Sequence, residues 1–326
     1  MAPISARARK LAHRGVRSLR AAHRAWYDGE PTAAPESQAA AEAGAEAPPE
    51  RQVPPWPLDD PAPTFPGLIS QPCTDGQIRT AAYRAWGPKL HAPVDIFFHR
   101  KPWEWFYIAQ ALEEAGVVVP GARGLGFGVG GEPLPGWFAA QGCAVTATDY
   151  PGGEHADQWA ATGELATSMS KLNEFEICPE DLFADRVTFR RVDMRDLPDD
   201  LVDFDFTWSS CAFEHLGSID NGLRFIKEQL RSLRPGGVAV HTTELNVSST
   251  AQTLETDQLV LFRRSDIEGL AEELTADGHQ ISCTFHTGDR PNDRWIDAPP
   301  FTDTHLKLAL GEHVTTSFGV LIRKAP

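Results

Sequence analysis

The stretch Gly124-Leu125-Gly126-Phe127-Gly128-Val129-Gly130-Gly131 decides the fold. Glycines this close together suit a turn between a strand and a helix, where bare backbone lets amide groups approach a ligand. Gly126, Gly128 and Gly131 satisfy G-x-G-x-x-G, a pattern that is weak alone. Asp149 follows 18 residues after Gly131, at the end of the strand-like run Ala144-Val145-Thr146-Ala147-Thr148. An acid at such a strand end would accept hydrogen bonds from ribose hydroxyls, so a nicotinamide dinucleotide and other nucleoside ligands both stay open at this point.

Working outward, strand and helix patterns alternate. Upstream, Pro102 opens a helix with Trp105, Ile108, Ala109, Leu112 and Ala115 on one face, and Gly116 ends it. Downstream lie a short helix around Trp137-Phe138-Ala139-Ala140 and strands over 187–192, 204–208 and 238–242. A helix over 219–233 carries Leu223, Ile226, Leu230 and Leu233 on one side and breaks at Pro235-Gly236-Gly237. Ser265 and Glu268 form a capping box for a helix that reaches Asp277 and closes at Gly278, before strands near 280–285 and 315–322. This alternation predicts an α/β domain with a parallel sheet covered on both faces. No internal repeat is visible.

The combined motifs over about residues 95–326 resemble the class I S-adenosylmethionine-dependent methyltransferases. The glycine run looks like their first motif, and Thr148-Asp149-Tyr150 like their acidic second-strand end. Val192-Asp193-Met194-Arg195-Asp196-Leu197-Pro198 is similar to the third motif, in which an acid contacts the adenine amino group and its neighbour packs on the ring. Phe204-Asp205-Phe206-Thr207-Trp208-Ser209-Ser210, followed by Glu214-His215, resembles the fourth strand, and Leu233-Arg234-Pro235-Gly236-Gly237 the turn before strand five. The resemblance implies a doubly wound, Rossmann-like, mostly parallel seven-stranded sheet ending in an antiparallel hairpin. It also implies S-adenosyl-L-methionine as cofactor, contacted by Gly126, Phe127, Gly128, Gly130, Asp149, Tyr150, Asp193, Met194 and Ser209. One departure stands out: Gly124 occupies the position where the family usually has an acid supporting the methionine end, and Glu132 is the candidate substitute. None of the four tyrosines has a lysine four residues later, so the Tyr-x-x-x-Lys pair of short-chain reductases is missing.

Two residues are singled out for catalysis. His215, just past the fourth strand, would sit in the crevice at the sheet's carboxyl end, and an imidazole of ordinary pKa, about 6.5, suits a general base. Glu244, beyond strand five, could orient a substrate hydroxyl or help hold a divalent metal. A metal is compatible with the sequence but not indicated by it. His305 and Asp297 could form part of an acceptor wall, and Trp103 and Tyr107, four apart and off the apolar face, are candidate substrate contacts. The leading expectation is methylation of oxygen on a small hydroxylated metabolite or a glycan or sugar. The rivals are an NAD(P)-dependent oxidoreductase, a protein methyltransferase and a non-catalytic cofactor-binding protein.

Composition bounds these readings. The 326 residues carry a formal charge of −15, yet residues 1–27 hold seven basic side chains and no acid, so the rest of the chain is strongly acidic. An acidic body argues against nucleic acid as partner, while the basic segment, helical by its spacing, could touch an anionic surface or a partner. Residues 28–66 contain ten of the 26 prolines and read as a disordered linker, which leaves 67–326 as the catalytic domain. Five cysteines without C-x-x-C spacing read as reduced thiols. With neither a secretory signal nor a spanning segment, the expected location is cytoplasmic.

Overall fold

The computed structural model describes residues 60–92, 99–150, 152, 166, 169–299, 301–302 and 305–326. The basic segment and most of the linker therefore lie outside the described residues. Among the described residues ten strands form one sheet: β1 (Gln71–Pro72), β2 (Arg123–Gly126), β3 (Ala144–Asp149), β4 (Val187–Arg191), β5 (Phe204–Ser210), β6 (Leu233–Asn246), β7 (Gln280–Ile281), β8 (Ile296–Asp297), β9 (Lys307–Leu310) and β10 (His313–Arg323). Their order is β4-β3-β2-β5-β6-β10-β9-β8. The neighbours from β4 to β6 run parallel, and β10 returns antiparallel to β6. Along the far edge of β10 the short strands β9, β1 and β7 pair one after another. Seven positions thus cross the sheet, the seventh shared by three pieces, and β8 lies outside β9.

Helices cover both faces because the central strands bury both. On one face α1 (Arg100–Glu114), α2 (Leu134–Ala140) and α3 (Glu180–Arg186) pack over Val145, Ala147, Phe206, Trp208, Val238 and Val240. On the other, α4 (Ile219–Glu228) and α5 (Arg264–Ala276) cover Leu125, Ala239, Val320 and Ile322. Packing also explains two of the motif glycines. Gly124 pairs with Phe206 and Gly126 with Trp208 across β2 and β5, and a Cβ at either would lie 2.4 Å from the opposing ring. The fold keeps these positions bare so that rings from β5 can lie over them.

Several sequence expectations shift. Trp103 and Tyr107 are buried and stack on one another at 4.9 Å. Trp103 donates to Gln77 and Tyr107 to the carbonyl of Ile69, so both rings bind the segment before the domain core rather than a substrate. The capping interaction of α5 runs from Asp266 back to the amide of Arg263, while Glu268 pairs with Arg264. The strand expected over 238–242 extends over all fourteen residues of β6, because pairing with β10 continues past the crevice to Asn246. The strand expected over 280–285 shrinks to β7. The packed fold also begins upstream of Gly67. Phe65 is buried against Tyr83, Asp60 binds Arg264 and the amide of Phe285, and Pro61 accepts from Thr284.

Candidate functional site

The glycine turn sits at the carboxyl ends of β2 and β3, where open α/β sheets bind their ligands. Gly128 and Gly130 both have positive φ, 57° and 48°, which a side chain would resist. A Cβ on Gly128 would meet Ala212 at 2.8 Å and Met194 Sδ at 3.6 Å, so Met194 from the loop after β4 lies against the turn. Phe127 is different: its ring packs edge-on against Phe225 in the core and its amide completes the ladder to Trp208. Asp149 is buried and accepts from the amides of Gly130 (3.2 Å), Tyr150 (2.8 Å) and Ala166 (2.6 Å). Burial pushes its carboxyl up to about 6 against the opposing pull of those amides. Asp193 is the reverse case, since the Arg195 guanidinium grips both its oxygens and holds it below the usual carboxylate range. Glu132 is buried beside the turn, where Oε1 accepts from Trp208 Nε1 at 2.7 Å. Burial pushes this carboxyl up to about 8.

Next to the turn, the carboxyl ends of β5 and β6 and the amino end of the antiparallel β10 meet the first turn of α1 in a buried polar cluster. His99 caps the helix by accepting from the Lys101 amide, and of the next two side chains Arg100 is buried and Lys101 partly so. Arg100 pairs with Glu244, whose other oxygen accepts from Thr315 at 2.8 Å. Lys101 pairs with Glu104 at 2.9 Å, and Glu104 also accepts from Ser317 and Ser210. Burial opposes ionisation of Glu104, but Lys101 and Arg100 outweigh it and hold the carboxyl below its ordinary value. Glu214 is 1% exposed; Oε2 accepts from Thr243 at 3.0 Å and Oε1 has no partner among the described residues. Burial, then the nearby Glu244, pushes Glu214 up to about 8. A sulfur of Cys211 and one carboxylate oxygen each from Glu214 and Glu244 lie within 4.8 Å of one another.

Residues 125–241, which span the turn, the acidic strand end and Ser210, Cys211 and Glu214 of the cluster, match the family described as a methyltransferase domain. Over these residues the chain carries a methyltransferase domain. No curated protein matches it. Among solved structures, a putative sarcosine dimethylglycine methyltransferase from Galdieria sulphuraria is similar at 17% identity, with 73% of this chain and 89% of that one covered and a TM-score of 0.45. An S-adenosylmethionine-dependent methyltransferase from Aquifex aeolicus aligns at 16% identity over 69% and 94% of the two chains, TM-score 0.38. One from Geobacter sulfurreducens, in complex with S-adenosyl-L-homocysteine, aligns at 21% identity over 56% and 65%, TM-score 0.34.

Within the methyltransferase domain the residues singled out from sequence separate into groups. Gly128, Gly130, Asp149 and Met194 gather at the turn, as above, and the amide of Tyr150 binds Asp149. The Ser209 hydroxyl faces the opposite side of β5, bound to His241 Nδ1 at 2.8 Å in the core, so its expected role as a cofactor contact finds no geometry through that group. Glu244 lies inside the buried cluster rather than at a solvated strand end. His215 Nδ1 is 2.7 Å from the carbonyl of Gln258, a contact only a protonated nitrogen makes, which leaves Nε2 as the basic nitrogen of the neutral ring. It is Glu214, one residue earlier, that joins Glu244. His305 and Asp297 form a buried pair at 2.8 Å, and the His305 carbonyl accepts from the Arg100 amide, which braces the start of α1. Sequence reasoning passed over Arg100, Lys101, Glu104 and Cys211. The first two left a signal, because two bases in a helix's first turn oppose its dipole and need a partner to hold them there. Among the described residues no helix is long and apolar enough to cross a membrane.

Proposed function

We propose that this methyltransferase transfers the methyl group to an oxygen of a small hydroxylated metabolite or sugar. The observation that carries the reading is Glu214 Oε1, a buried acceptor without a partner among the described residues, in a cluster of carboxylates, the hydroxyls of Ser210, Thr243, Thr315 and Ser317, and the bases Arg100 and Lys101. A substrate hydroxyl, bound directly or through a cation that Glu214 holds, would satisfy that oxygen, and an apolar acceptor would leave it stranded. Bound S-adenosylmethionine supplies an electrophilic methyl group on sulfonium sulfur. The groups around the turn fit that molecule, since Asp149, Asp193 and Glu132 are all acceptors and it presents ribose hydroxyls, an adenine amino group and an ammonium. In this reading Asp149 takes the ribose, Asp193 turns from Arg195 toward the adenine amino group, and Glu132 replaces the acid missing at Gly124. Gly126, Phe127, Gly128 and Gly130 contribute backbone, and Tyr150 and Met194 flank the nucleoside. Glu244, fixed by Arg100 and Thr315, orients the acceptor while His215 Nε2 removes its proton. Five free cysteines accord with a cytoplasmic setting.

The test is product identity. Cofactor carrying a ¹³C-methyl group, offered with pools of sugars, hydroxylated metabolites and basic peptides, should yield a methyl ether signal by carbon NMR. Signal only as N-methyl, or only on peptide, overturns the proposal. On the acceptor so found, His215→Ala should lower turnover about 10²–10⁴-fold with cofactor affinity unchanged, and an undiminished variant removes His215 as the base.

A further inference from the structure

We propose that Cys211, Glu214 and Glu244 form a three-ligand site for a zinc-class divalent cation, with a fourth position open toward the acceptor. The ligand atoms already lie within 4.8 Å of one another, and zinc at about 2.3 Å from sulfur and 2.0–2.2 Å from oxygen needs only a modest closure of that triangle. Each arm is held from outside. Thr243 fixes Oε2 of Glu214, Thr315 and Arg100 fix Glu244, and the Cys211 amide donates to the carbonyl and hydroxyl of Thr242, both at 3.1 Å. Cys211 sits at φ 48°, a left-handed conformation that a non-glycine residue adopts only when its surroundings enforce it.

The observation that points to a ligand is Glu214 Oε1, buried and without a partner among the described residues while its sister oxygen is bound. Ligand chemistry selects the metal: a thiolate beside carboxylates favours borderline-soft zinc or cobalt, whereas magnesium and calcium favour oxygen alone. Three protein ligands match the catalytic kind of site, which keeps a position for a water or a substrate oxygen. That the fourth ligand is the acceptor rests on the oxygen-methylation reading above; cation binding itself does not.

The test uses the metal-stripped full chain, without methyl donor or acceptor, titrated with Co²⁺ as probe. One equivalent should bind with the strong near-ultraviolet absorption of a cobalt–thiolate bond, and Zn²⁺ should displace it. Cys211→Ser should abolish that absorption, and Glu214→Gln should weaken Zn²⁺ binding by at least tenfold. Cys283→Ser should change neither. Absence of stoichiometric binding, binding without the thiolate band, or loss of the band in Cys283→Ser overturns the proposal. Should Cys211→Ser fail to fold, the parent's band and the near-isosteric Glu214→Gln still decide it. A bound cation with N-methyl product would sink oxygen methylation alone, and an oxygen-methylating chain without cation binding would sink this site alone.

Discussion

Glu132 carries two opposing duties. Its folded carboxyl sits at about 8, well above the free value of 4.5, so between those pH values the folded chain holds a proton that the unfolded chain releases. Through this group, stability of the ligand-free protein falls as pH rises from about 4.5 to 8. Glu132→Gln keeps an oxygen for Trp208 but cannot ionise, so its stability should depend less on pH in that window and exceed the parent's at pH 8. The same variant should bind S-adenosylhomocysteine about 10–100-fold more weakly, the loss expected for a hydrogen bond to a charged group. Adenosine, which lacks the methionine end, should be unaffected. Denaturation from pH 5 to 8 and paired calorimetric titrations check both, and equal losses for the two ligands would place Glu132 away from that end. Legibility at this scale divides by residue. Asp149 and the glycines announce themselves through spacing, because backbone conformation dictates residue type there. The cluster of Arg100, Glu104, Cys211 and Glu214 does not, since tertiary contact across more than a hundred residues assembles it.

The pairing of β2 with β5 shows why the acid of the first motif is missing. The space where a side chain at 124 would begin is filled by Phe206, itself packed on Phe138 at 4.8 Å. Gly124→Ala should therefore destabilise the protein by about 1–3 kcal/mol, the usual cost of overpacking. Phe206→Leu in the same chain should recover part of it. Urea unfolding of both variants and the parent decides the matter, and an unchanged midpoint for Gly124→Ala would show that the ring yields freely. Element type was readable wherever periodicity was strong, as in α1 and in β3 to β5. It failed where partners set the length. Only the register with β10 carries β6 on to Asn246, and only competition with β1 and β9 for one edge keeps β7 to two residues.

In the whole molecule, segments far apart in sequence close on one another. Asp75 takes Asp293 as partner for its amide, Ser70 exchanges hydrogen bonds with Leu321, and Asp60 reaches Arg264. A chain beginning at Gly67 loses the Asp60 and Pro61 contacts and the buried Phe65 ring, a side chain whose removal alone costs about 3–5 kcal/mol in a core. It should unfold at clearly lower urea than a chain beginning at Asp60, and coincident midpoints would show that these residues only rest on the surface. The linker's composition hid this boundary, because proline-rich sequence looks alike whether or not its last few residues dock. The three short strands on the outer side of β10 have a further consequence. An eleven-residue strand with bare amides and carbonyls along one side would be a template for another molecule's strand, and such templates seed aggregation. Here that side is shielded in separate patches drawn from remote parts of the chain. Losing any one patch bares a few rungs, so colloidal behaviour, not catalysis, should be the first property to suffer when β1 is displaced.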